Sequence, residues 1–385
     1  MKILLLAPQP FFEVRGTPLA VRAMLETLTG RGHRVRLLTY PQGEPVSMPG
    51  LSHSRSLPLP VGRVPPGPSA AKLLLDVPFM LEAALWMLFG RFDAVHAVEE
   101  AAPIVAPLSR LLGLPLVVDV DSWIPDQLRE SGFAGSGPLL GVAEAFYAHA
   151  LRHSAVVVTV CRSLTDSVTA RAPLARVFQV EDPPLVTGPA DPAAVSALRR
   201  ELSLTPAPIV LYSGNFEPYQ GVELLLEAAA AVSEVQLVLM GGEPSEIESM
   251  RPRAGAACVF AGKRPASELP AFLGLADVLV SPRCRGANTP FKLYTYLASG
   301  TPLVATRIPT HTQLLDDSLA TLVEPTAPDL AAGIRKVLAD PAAAKEKARR
   351  GQELIERDYS RARYTEKVAR AYAVVEAAAR PDHAA

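Results

Sequence analysis

The chain has 385 residues, of which 49% are hydrophobic and 20% are charged, and its formal net charge is −1. These values are typical of a globular protein with two domains and argue against a disordered one. The near-neutral charge argues against general nucleic-acid binding, which depends on a strong basic excess, so any anion site must be local.

Short apolar runs, each followed by a helical pattern, recur along the whole chain. The clearest are residues 3–7, 35–39, 116–120, 156–160, 209–212, 235–240, 278–281 and 303–306. Runs of this length suit strands that are buried on both faces, and their alternation with helices predicts parallel sheets. The sequence therefore predicts an α/β fold of two doubly wound, Rossmann-like domains that face each other across a cleft.

The first loop follows the opening strand, whose apolar run ends at Pro8 without a segment typical of signal-peptide cleavage. Gly16 and the Thr17-Pro18 pair then predict a capped helix start beside the sheet edge. We take Gly16 and Thr17 as candidates for an acceptor or phosphate loop. The loop lacks the G-x-G-x-x-G spacing of a dinucleotide site, which argues against a dehydrogenase.

Residues 73–89 form the most apolar stretch of the chain, although the stretch contains Asp76, Pro78 and Glu82. A helix that spans a membrane needs about 20 largely uncharged residues, so this stretch is a poor candidate for one. It fits a helix of the core or a helix that lies at a membrane surface. Basic residues surround it, which leaves a peripheral membrane contact and a lipid-linked acceptor open: Arg55, Arg63, Lys72 and Arg91.

Polar residues follow two later strand-like runs of the first half. His96 lies near Glu99 and Glu100, and we take it as a candidate for the acceptor side, with a structural histidine as the alternative. Asp121 follows the next run and is a candidate catalytic residue or, alternatively, a helix cap. No spacing typical of a metal site is found, and three widely separated cysteines favour a reducing, cytoplasmic compartment.

The proline-rich residues 181–195 carry no clear periodicity and predict the division between the domains. We assign residues 1–185 to the first domain, 186–208 to a linker, 209–360 to the second domain and 361–385 to a final helix.

Glycine-containing turns follow the strands of the second half. Gly214 and Asn215 come directly after one strand, Gln220 lies shortly before the next helix, and Gly241 follows the next strand. Such glycines allow a ligand to approach the backbone closely, although a purely structural role is the alternative. We take these four residues and Arg264 as candidates for donor binding.

The stretch SPRCRGANTPFKLYTYLASG, residues 281–300, concentrates positive charge at a predicted helix start. We expect Thr289 to cap the helix, Pro290 to occupy its first position and Gly300 to end it. Cations near a helix N-terminus oppose its dipole, so several of them together indicate a bound anion, for which a diphosphate is the natural candidate. A solvated basic loop is the alternative. The candidate side chains are Arg283, Arg285, Asn288, Thr289, Lys292 and Thr295.

Together these motifs resemble the family 4 glycosyltransferases of the GT-B fold, which move sugars from nucleotide donors with retention of configuration. The resemblance rests on RGT at residues 15–17, YSGNFEPYQGVELLLEA at 212–228, ADVLVSPR at 276–283 and NTPFKLYTYLASGTPLVAT at 288–306. It implies that the second domain holds the donor, that the first holds the acceptor, and that the final helix returns to the first domain.

The chain departs from the family pattern at several functional positions. Ala287 and Thr295 stand where the family commonly has two glutamates, and Asn215 and Gln220 stand where many relatives have arginine and lysine. Asp121 stands where relatives often have histidine. The resemblance therefore leaves Lys292 and the arginines as the clamp on the leaving diphosphate, and Thr295 as a weaker replacement for a glutamate.

The resemblance implies no metal and no cofactor, with a UDP- or GDP-linked sugar as the donor substrate. It implies a saccharide or lipid-linked acceptor and a role in polysaccharide, glycan or glycolipid biosynthesis, with no nucleic-acid partner. A non-catalytic nucleotide-sugar-binding protein and a sugar-nucleotide epimerase are the alternatives. The missing glutamates favour the first of these, and the lack of an evident acid–base carboxylate pair argues against the second.

Overall fold

The computed structural model describes residues 1–13, 16–62, 64, 69–130 and 138–379. The chain divides into two compact units: residues 1–181 together with the residues from Tyr364 onward form unit 1, and residues 182–363 form unit 2. Arg15 of the RGT motif and Arg63 lie outside the described residues.

Unit 1 is built on a parallel sheet with the strand order β3-β2-β1-β4-β5-β6-β7. Its strands are β1 (Lys2–Ala7), β2 (Arg34–Thr39), β3 (Leu51–Arg55), β4 (Ala94–Val98), β5 (Leu116–Val120), β6 (Val156–Thr159) and β7 (Val177–Gln179). Its helices are α1 (Gly16–Gly30), α2 (Ala70–Phe89), α3 (Ala101–Leu111), α4 (Ile124–Glu130), α5 (Pro138–His153) and α6 (Arg162–Arg171), with the last helix, α15 (Arg361–Ala379).

Two apolar layers cover the two faces of this sheet. Helices α2, α3, α5 and α6 contribute to one buried cluster, and α1 and α15 contribute to the other. The final helix therefore belongs to the core of unit 1, where Tyr364, Val368 and Tyr372 are each at most 4% exposed. Helices on both faces explain why the strands read as continuous apolar runs.

Unit 2 is built on a second parallel sheet, with the strand order β10-β9-β8-β11-β12-β13. Its strands are β8 (Ile209–Ser213), β9 (Gln236–Met240), β10 (Cys258–Gly262), β11 (Val278–Ser281), β12 (Leu303–Thr306) and β13 (Thr321–Val323). Its helices are α7 (Pro192–Glu201), α8 (Val222–Ala230), α9 (Pro244–Met250), α10 (Leu269–Leu275), α11 (Phe291–Ser299), α12 (Pro309–Thr312), α13 (Ala327–Ala339) and α14 (Pro341–Leu354).

The two Rossmann-like parallel sheets confirm the predicted fold class. Where the sequence suggested only a linker, α7 forms a helix that is capped by Asp191 and buries Leu198 in the core of unit 2. The sequence signal missed this helix because prolines precede it and most of its surface is exposed. Over the described ranges, no helix has both the length and the hydropathy that spanning a membrane requires.

Candidate active site

Lys292 lies in the first turn of α11, next to the loop that follows β8. Its ammonium Nζ donates to Oε1 of Gln220 at 3.1 Å and lies 3.9 Å from the ring centroid of Tyr212. Lys292 forms no salt bridge with any carboxylate that the structure describes. Burial of the ammonium, followed by repulsion from Arg283, lowers the pKa of Lys292 well below its usual value. A cation held in this way is stabilised when an anion binds beside it.

Gly214 makes room for this ammonium. Its φ is 147°, and a Cβ at this position would lie 2.7 Å from Nζ of Lys292 and 3.0 Å from the hydroxyl of Tyr212. Gly241 is tied to the same loop, since its own Cβ would lie 1.9 Å from the carbonyl oxygen of Gly214. Both glycines are therefore required by close packing at the carboxyl edge of the sheet.

We expect Gly214→Ala to weaken the binding of a diphosphate ligand beside Lys292 by on the order of tenfold, because the new methyl group displaces the Lys292 ammonium. Isothermal titration calorimetry measures this change. Gly255→Ala is the control, since a Cβ at Gly255 meets nothing within 4 Å. Equal affinities in the two variants would contradict a role for the lysine position in binding.

The three basic residues predicted to bind an anion, Arg283, Arg285 and Lys292, have different environments. Arg283 is buried, and its guanidinium donates to the carbonyl oxygen of Arg285 at 2.7 Å and to Oδ1 of Asn288 at 3.0 Å. Arg285 is exposed at the tip of the loop. Arg283 and Asn288 thus stabilise the conformation of the loop. Lys292 is the cation that lies against Gln220 and Gly214, in the loop that follows β8.

The start of α11 differs from the sequence prediction. Pro290 occupies the N-cap and α11 begins at Phe291, so Thr289, which is buried, does not cap the helix. Thr295 is also buried, and its hydroxyl accepts a hydrogen bond from the amide of Leu185 at 3.0 Å. Thr295 therefore anchors residue 185 of the same unit, which argues against its predicted contact with the donor. Gly300 ends the helix in a left-handed conformation, as predicted.

A buried hydrogen-bond chain supports the loop from below. Nε2 of His311 lies 3.0 Å from Oγ of Ser281, and its Nδ1 donates to the carbonyl oxygen of Thr306 at 2.7 Å. Thr306 in turn donates to the carbonyl oxygen of Arg283. Burial lowers the pKa of His311 to about 4; the hydrogen bond that His311 donates to the Thr306 carbonyl opposes this effect, and the charges of Arg283 and Lys292 add to it. The neutral imidazole therefore has a structural role.

Two further candidates for donor binding, Arg264 and Asn215, have different environments. Arg264 is paired with Glu201 at 2.5 Å and with Glu268 at 3.4 Å, so its charge is already neutralised and it is a weak candidate for binding a diphosphate. The carbonyl oxygen of Asn215 accepts from the Tyr212 hydroxyl at 2.6 Å, and its side-chain Oδ1 is buried without a protein hydrogen bond.

His96 does not line a site in unit 1. It lies in the middle of β4, fully buried, with Nδ1 2.8 Å from the hydroxyl of Tyr372 and Nε2 3.0 Å from Oδ2 of Asp119. The prediction of an acceptor contact at His96 is therefore wrong. The sequence could not show this, because Tyr372, which contacts His96, lies on the last helix.

We expect His96→Gln to lower the free energy of unfolding by about 2 kcal/mol, because Asp119 and Tyr372 lose buried hydrogen bonds. Turnover per folded molecule should stay unchanged. Urea unfolding and steady-state kinetics on the same sample measure both quantities. A large loss of turnover at full stability would restore a direct role for His96.

The acidic residues at the end of β4 form a partly buried polar cluster that the sequence indicated only in part. Glu99 has a left-handed φ of 48°, and Oε1 of Glu99 accepts from the Ser122 hydroxyl at 2.6 Å. Burial, and then repulsion from Glu100, raises the pKa of Glu99. Glu100 is paired with Lys72 at 2.5 Å. A non-glycine residue in this backbone region is uncommon and is often found at a functional site.

Further groups complete the acidic cluster. Asp76 accepts from the Tyr40 hydroxyl at 2.6 Å, and burial followed by repulsion from Glu100 raises the pKa of Asp76 to about 6. The Tyr147 hydroxyl and Nε1 of Trp123 are buried without a protein hydrogen bond. These donors and carboxylates suit a ligand with several hydroxyl groups.

The remaining first-domain candidates lie at sheet-edge loops of unit 1. Asp121 is buried directly after β5, and α4 begins three residues later at Ile124. Gly16 is the exposed first residue of α1, and Thr17 is half-buried beside it. The neighbouring Asp119 is engaged by His96, and the described residues contain no group of three or more residues able to hold a metal ion.

Two family models match the chain. The model described as "Glycosyl transferase 4-like domain" matches residues 15–180, and the model described as "Glycosyl transferases group 1" matches residues 207–340. Together they cover most of both units.

Curated relatives match over most of their length. A putative colanic acid biosynthesis glycosyl transferase of Escherichia coli (strain K12) is 28% identical, and the match covers 89% of this chain and 93% of that protein. A phosphatidyl-myo-inositol mannosyltransferase of Mycobacterium leprae is 26% identical, with 82% of this chain and 81% of that protein covered.

Solved structures show the same fold. Sucrose-phosphate synthase from Thermosynechococcus elongatus superposes with a TM-score of 0.79 and 21% identity, and the match covers 98% of this chain and 99% of that one. The Anabaena protein HepE in complex with UDP-glucose superposes with a TM-score of 0.75 and 16% identity, over 97% of this chain and 99% of that one. The second of these structures contains a nucleotide sugar.

Proposed function

Since the chain belongs to the family 4 glycosyltransferases and has their GT-B fold, we propose that it transfers a sugar from a UDP- or GDP-linked donor with retention of configuration. Glycosyltransferase activity in glycan or glycolipid biosynthesis follows from the family and its named relatives. The donor class, the stereochemistry and the acceptor are the proposed part. We take the acceptor to be a saccharide or a lipid-linked saccharide.

The observation that carries the proposal is the position of Lys292. Its ammonium is partly buried beside Gly214 at the amino end of α11, without a carboxylate partner among the described residues. A diphosphate supplies the missing negative charge, and helix N-termini are ready-made sites for phosphate groups. The nucleotide sugar held by HepE on the same fold supports this choice of ligand.

Lys292 then contributes to catalysis through the leaving group. When the bond between the anomeric carbon and the diphosphate oxygen breaks, positive charge develops on the sugar ring and negative charge on the diphosphate. An ammonium fixed beside the diphosphate stabilises this transition state more than the ground state. With retention, an oxygen of the departing diphosphate accepts the proton of the attacking acceptor hydroxyl, so a separate base is unnecessary.

The acidic cluster of unit 1 supplies the acceptor side of the proposal. Glu99 and Ser122 lie at the carboxyl edge of the unit 1 sheet, where ligands bind in open α/β folds. A carboxylate at Glu99 accepts hydrogen bonds from acceptor hydroxyls and so orients the attacking oxygen. Asp121, on the loop after β5, is a second candidate for this contact.

The test starts with donor binding. Thermal unfolding is measured with UDP, GDP and ADP, their sugars, and the monophosphates UMP and GMP as matched controls. A bound ligand at 100 times its Kd stabilises the protein by about 2.7 kcal/mol. We expect one diphosphate series to raise the melting temperature more than its monophosphate does. Equal shifts for mono- and diphosphates would contradict the diphosphate site.

Stereochemistry is tested separately. The product formed from the identified donor is examined by proton NMR before the anomers equilibrate. An anomeric configuration equal to that of the donor supports retention, and the opposite configuration contradicts it.

A further inference from the structure

The outward face of α2 is apolar along its whole length. Seven large apolar side chains on this helix are at least 50% exposed: Leu73, Leu74, Val77, Leu81, Leu85, Leu88 and Phe89. Their spacing places them on one side of the helix, while Leu75, Phe79, Ala83 and Met87 are buried on the other. A helix on the surface of a protein normally turns its polar side toward water, so this pattern is the reverse of the expected one.

The charged side chains of α2 contact other residues of unit 1. Lys72 pairs with Glu100, Asp76 accepts from Tyr40, and Glu82 accepts from the amide of Leu57 at 2.7 Å. Each of these side chains has a partner within unit 1. The helix therefore keeps its charges for internal contacts and presents only apolar groups to its surroundings.

Neighbouring helices extend the same surface. Helices α2, α3 and α5 pack against one face of the unit 1 sheet through a common buried cluster. Their exposed large apolar residues beyond α2 are Ile104, Leu111, Val142 and Phe146. We call these residues, together with the seven on α2, the apolar face. Apolar surface of this extent on a soluble domain usually marks an interaction site.

The exposed charges on and beside these three helices are mostly basic. Among the described residues of α2, α3 and α5, the exposed side chains of formal charge are those of Arg110 and Arg152. Arg91 and Asp93, also exposed, follow the end of α2, and Asp93 accepts a hydrogen bond from the amide of Lys2 at 2.6 Å. Glu144, a half-exposed acidic residue on α5, is paired with Arg129 at 3.0 Å. An apolar helix surface with a basic rim complements an anionic lipid bilayer, where apolar side chains enter the interface and cations contact headgroups.

We propose that the apolar face docks unit 1 on the surface of an anionic lipid bilayer, with α2 lying in the interface. A second copy of the chain fits less well, because a two-fold interface would bring two basic rims together. The bilayer contact itself is independent of the proposed function. Its consequence for the acceptor rests on that function: the amino end of α2 carries Lys72, which contacts Glu100, so docking brings the acidic cluster close to lipid headgroups.

Vesicle co-sedimentation tests the proposal. The full chain is mixed with vesicles of phosphatidylcholine alone and with vesicles that also contain phosphatidylglycerol. We expect binding to the phosphatidylglycerol vesicles that weakens as salt is raised. Leu81→Glu/Leu85→Glu should reduce this binding by about tenfold or more, because both side chains are more than half exposed and would enter the bilayer. Ala373→Glu is the matched control, at an exposed position on α15 against the opposite face of the sheet.

Two further measurements keep the outcome clear. Leu81→Gln/Leu85→Gln repeats the test without added charge, and thermal unfolding verifies that each variant is folded. Affinity for the soluble nucleotide sugar should be unchanged in all of them, so a failure of membrane binding is separate from a failure of the donor site. The proposal is overturned if the wild type binds neither vesicle, if the double variants bind as well as the wild type, or if the variants only dissociate a dimer.

Discussion

Lys292→Met is expected to lower kcat/KM for the donor by about a hundredfold or more. The variant keeps the length of the side chain and removes the ammonium that we place against the leaving diphosphate. The loss of one preorganised group that stabilises developing negative charge commonly has an effect of this size. Steady-state kinetics with the identified donor, and calorimetric titration of its nucleoside diphosphate, measure the change.

The same variant is expected to be at least as stable as the wild type. The pKa of Lys292 in the folded protein lies below its unfolded value, so between these two values the unfolded chain binds more protons and wild-type stability rises with pH. The advantage of Lys292→Met is therefore largest at and below the folded pKa and shrinks as the pH approaches 10.5, the unfolded value. Urea unfolding at several pH values measures this trend.

Lys345→Met provides the matched control, because Lys345 is exposed on α14 and no function is assigned to it. It should leave both kcat/KM and stability unchanged. If Lys292→Met retained donor kcat/KM within about twofold of the wild type, the diphosphate site at α11 would be wrong.

Glu99→Gln is expected to lower kcat/KM for the acceptor by about tenfold to a hundredfold while leaving donor affinity unchanged. The substitution keeps the shape of the side chain but replaces a charged hydrogen-bond acceptor, whose contacts are worth about 1.5–3 kcal/mol each. Initial rates at varied acceptor concentration, together with donor titration, separate the two effects.

The stability of this variant changes with pH in the opposite direction to that of Lys292→Met. The pKa of Glu99 is raised above its usual 4.5, so between 4.5 and the folded value the native protein binds more protons and wild-type stability falls as pH rises. Glu99→Gln is then more stable than the wild type above the folded pKa, and the gain disappears below pH 4.5. Thermal unfolding across this range follows the difference.

Glu26→Gln, on the exposed surface of α1, serves as the control in unit 1. A purely structural Glu99 would give the reverse result: reduced stability at high pH and full activity per folded molecule. That outcome would remove the acidic cluster from the acceptor side.

The sequence predicted the buried strands well and the edge strands poorly. Residues 3–7 and 209–212 are apolar throughout because helices cover both faces of their sheets, and this composition is visible without a structure. β3, with the sequence LSHSR, lies at the edge of its sheet and is half-exposed, so its polar residues gave no strand signal. The apolar stretch at 73–89 left core and membrane surface open, and α2 has one face in the core and the other exposed.

The sequence predicted which segment carries the candidate site more accurately than it predicted the contacts of the side chains there. Lys292 was expected in the first turn of α11, and it lies there. Its contacts with Gln220 and Tyr212 join residues 72 and 80 positions apart and follow from the order of β8 and β11 in the sheet. The structure argues against the roles suggested for His96 and Thr295 because each contacts a residue far away in the chain: Tyr372 lies 276 positions from His96, and Leu185 lies 110 positions from Thr295.

The sequence by itself determined the parallel α/β architecture, the family and the helix start that carries Lys292, because apolar runs, glycines and prolines act on the backbone within a few residues. Only the tertiary structure decided which polar groups are satisfied internally and which remain to meet a ligand. Arg283 and His311 are occupied by their own unit, while Lys292, Glu99 and the outward face of α2 are held in environments that cost free energy. That distinction depends on burial and on partners far apart in the chain, and local sequence does not encode it.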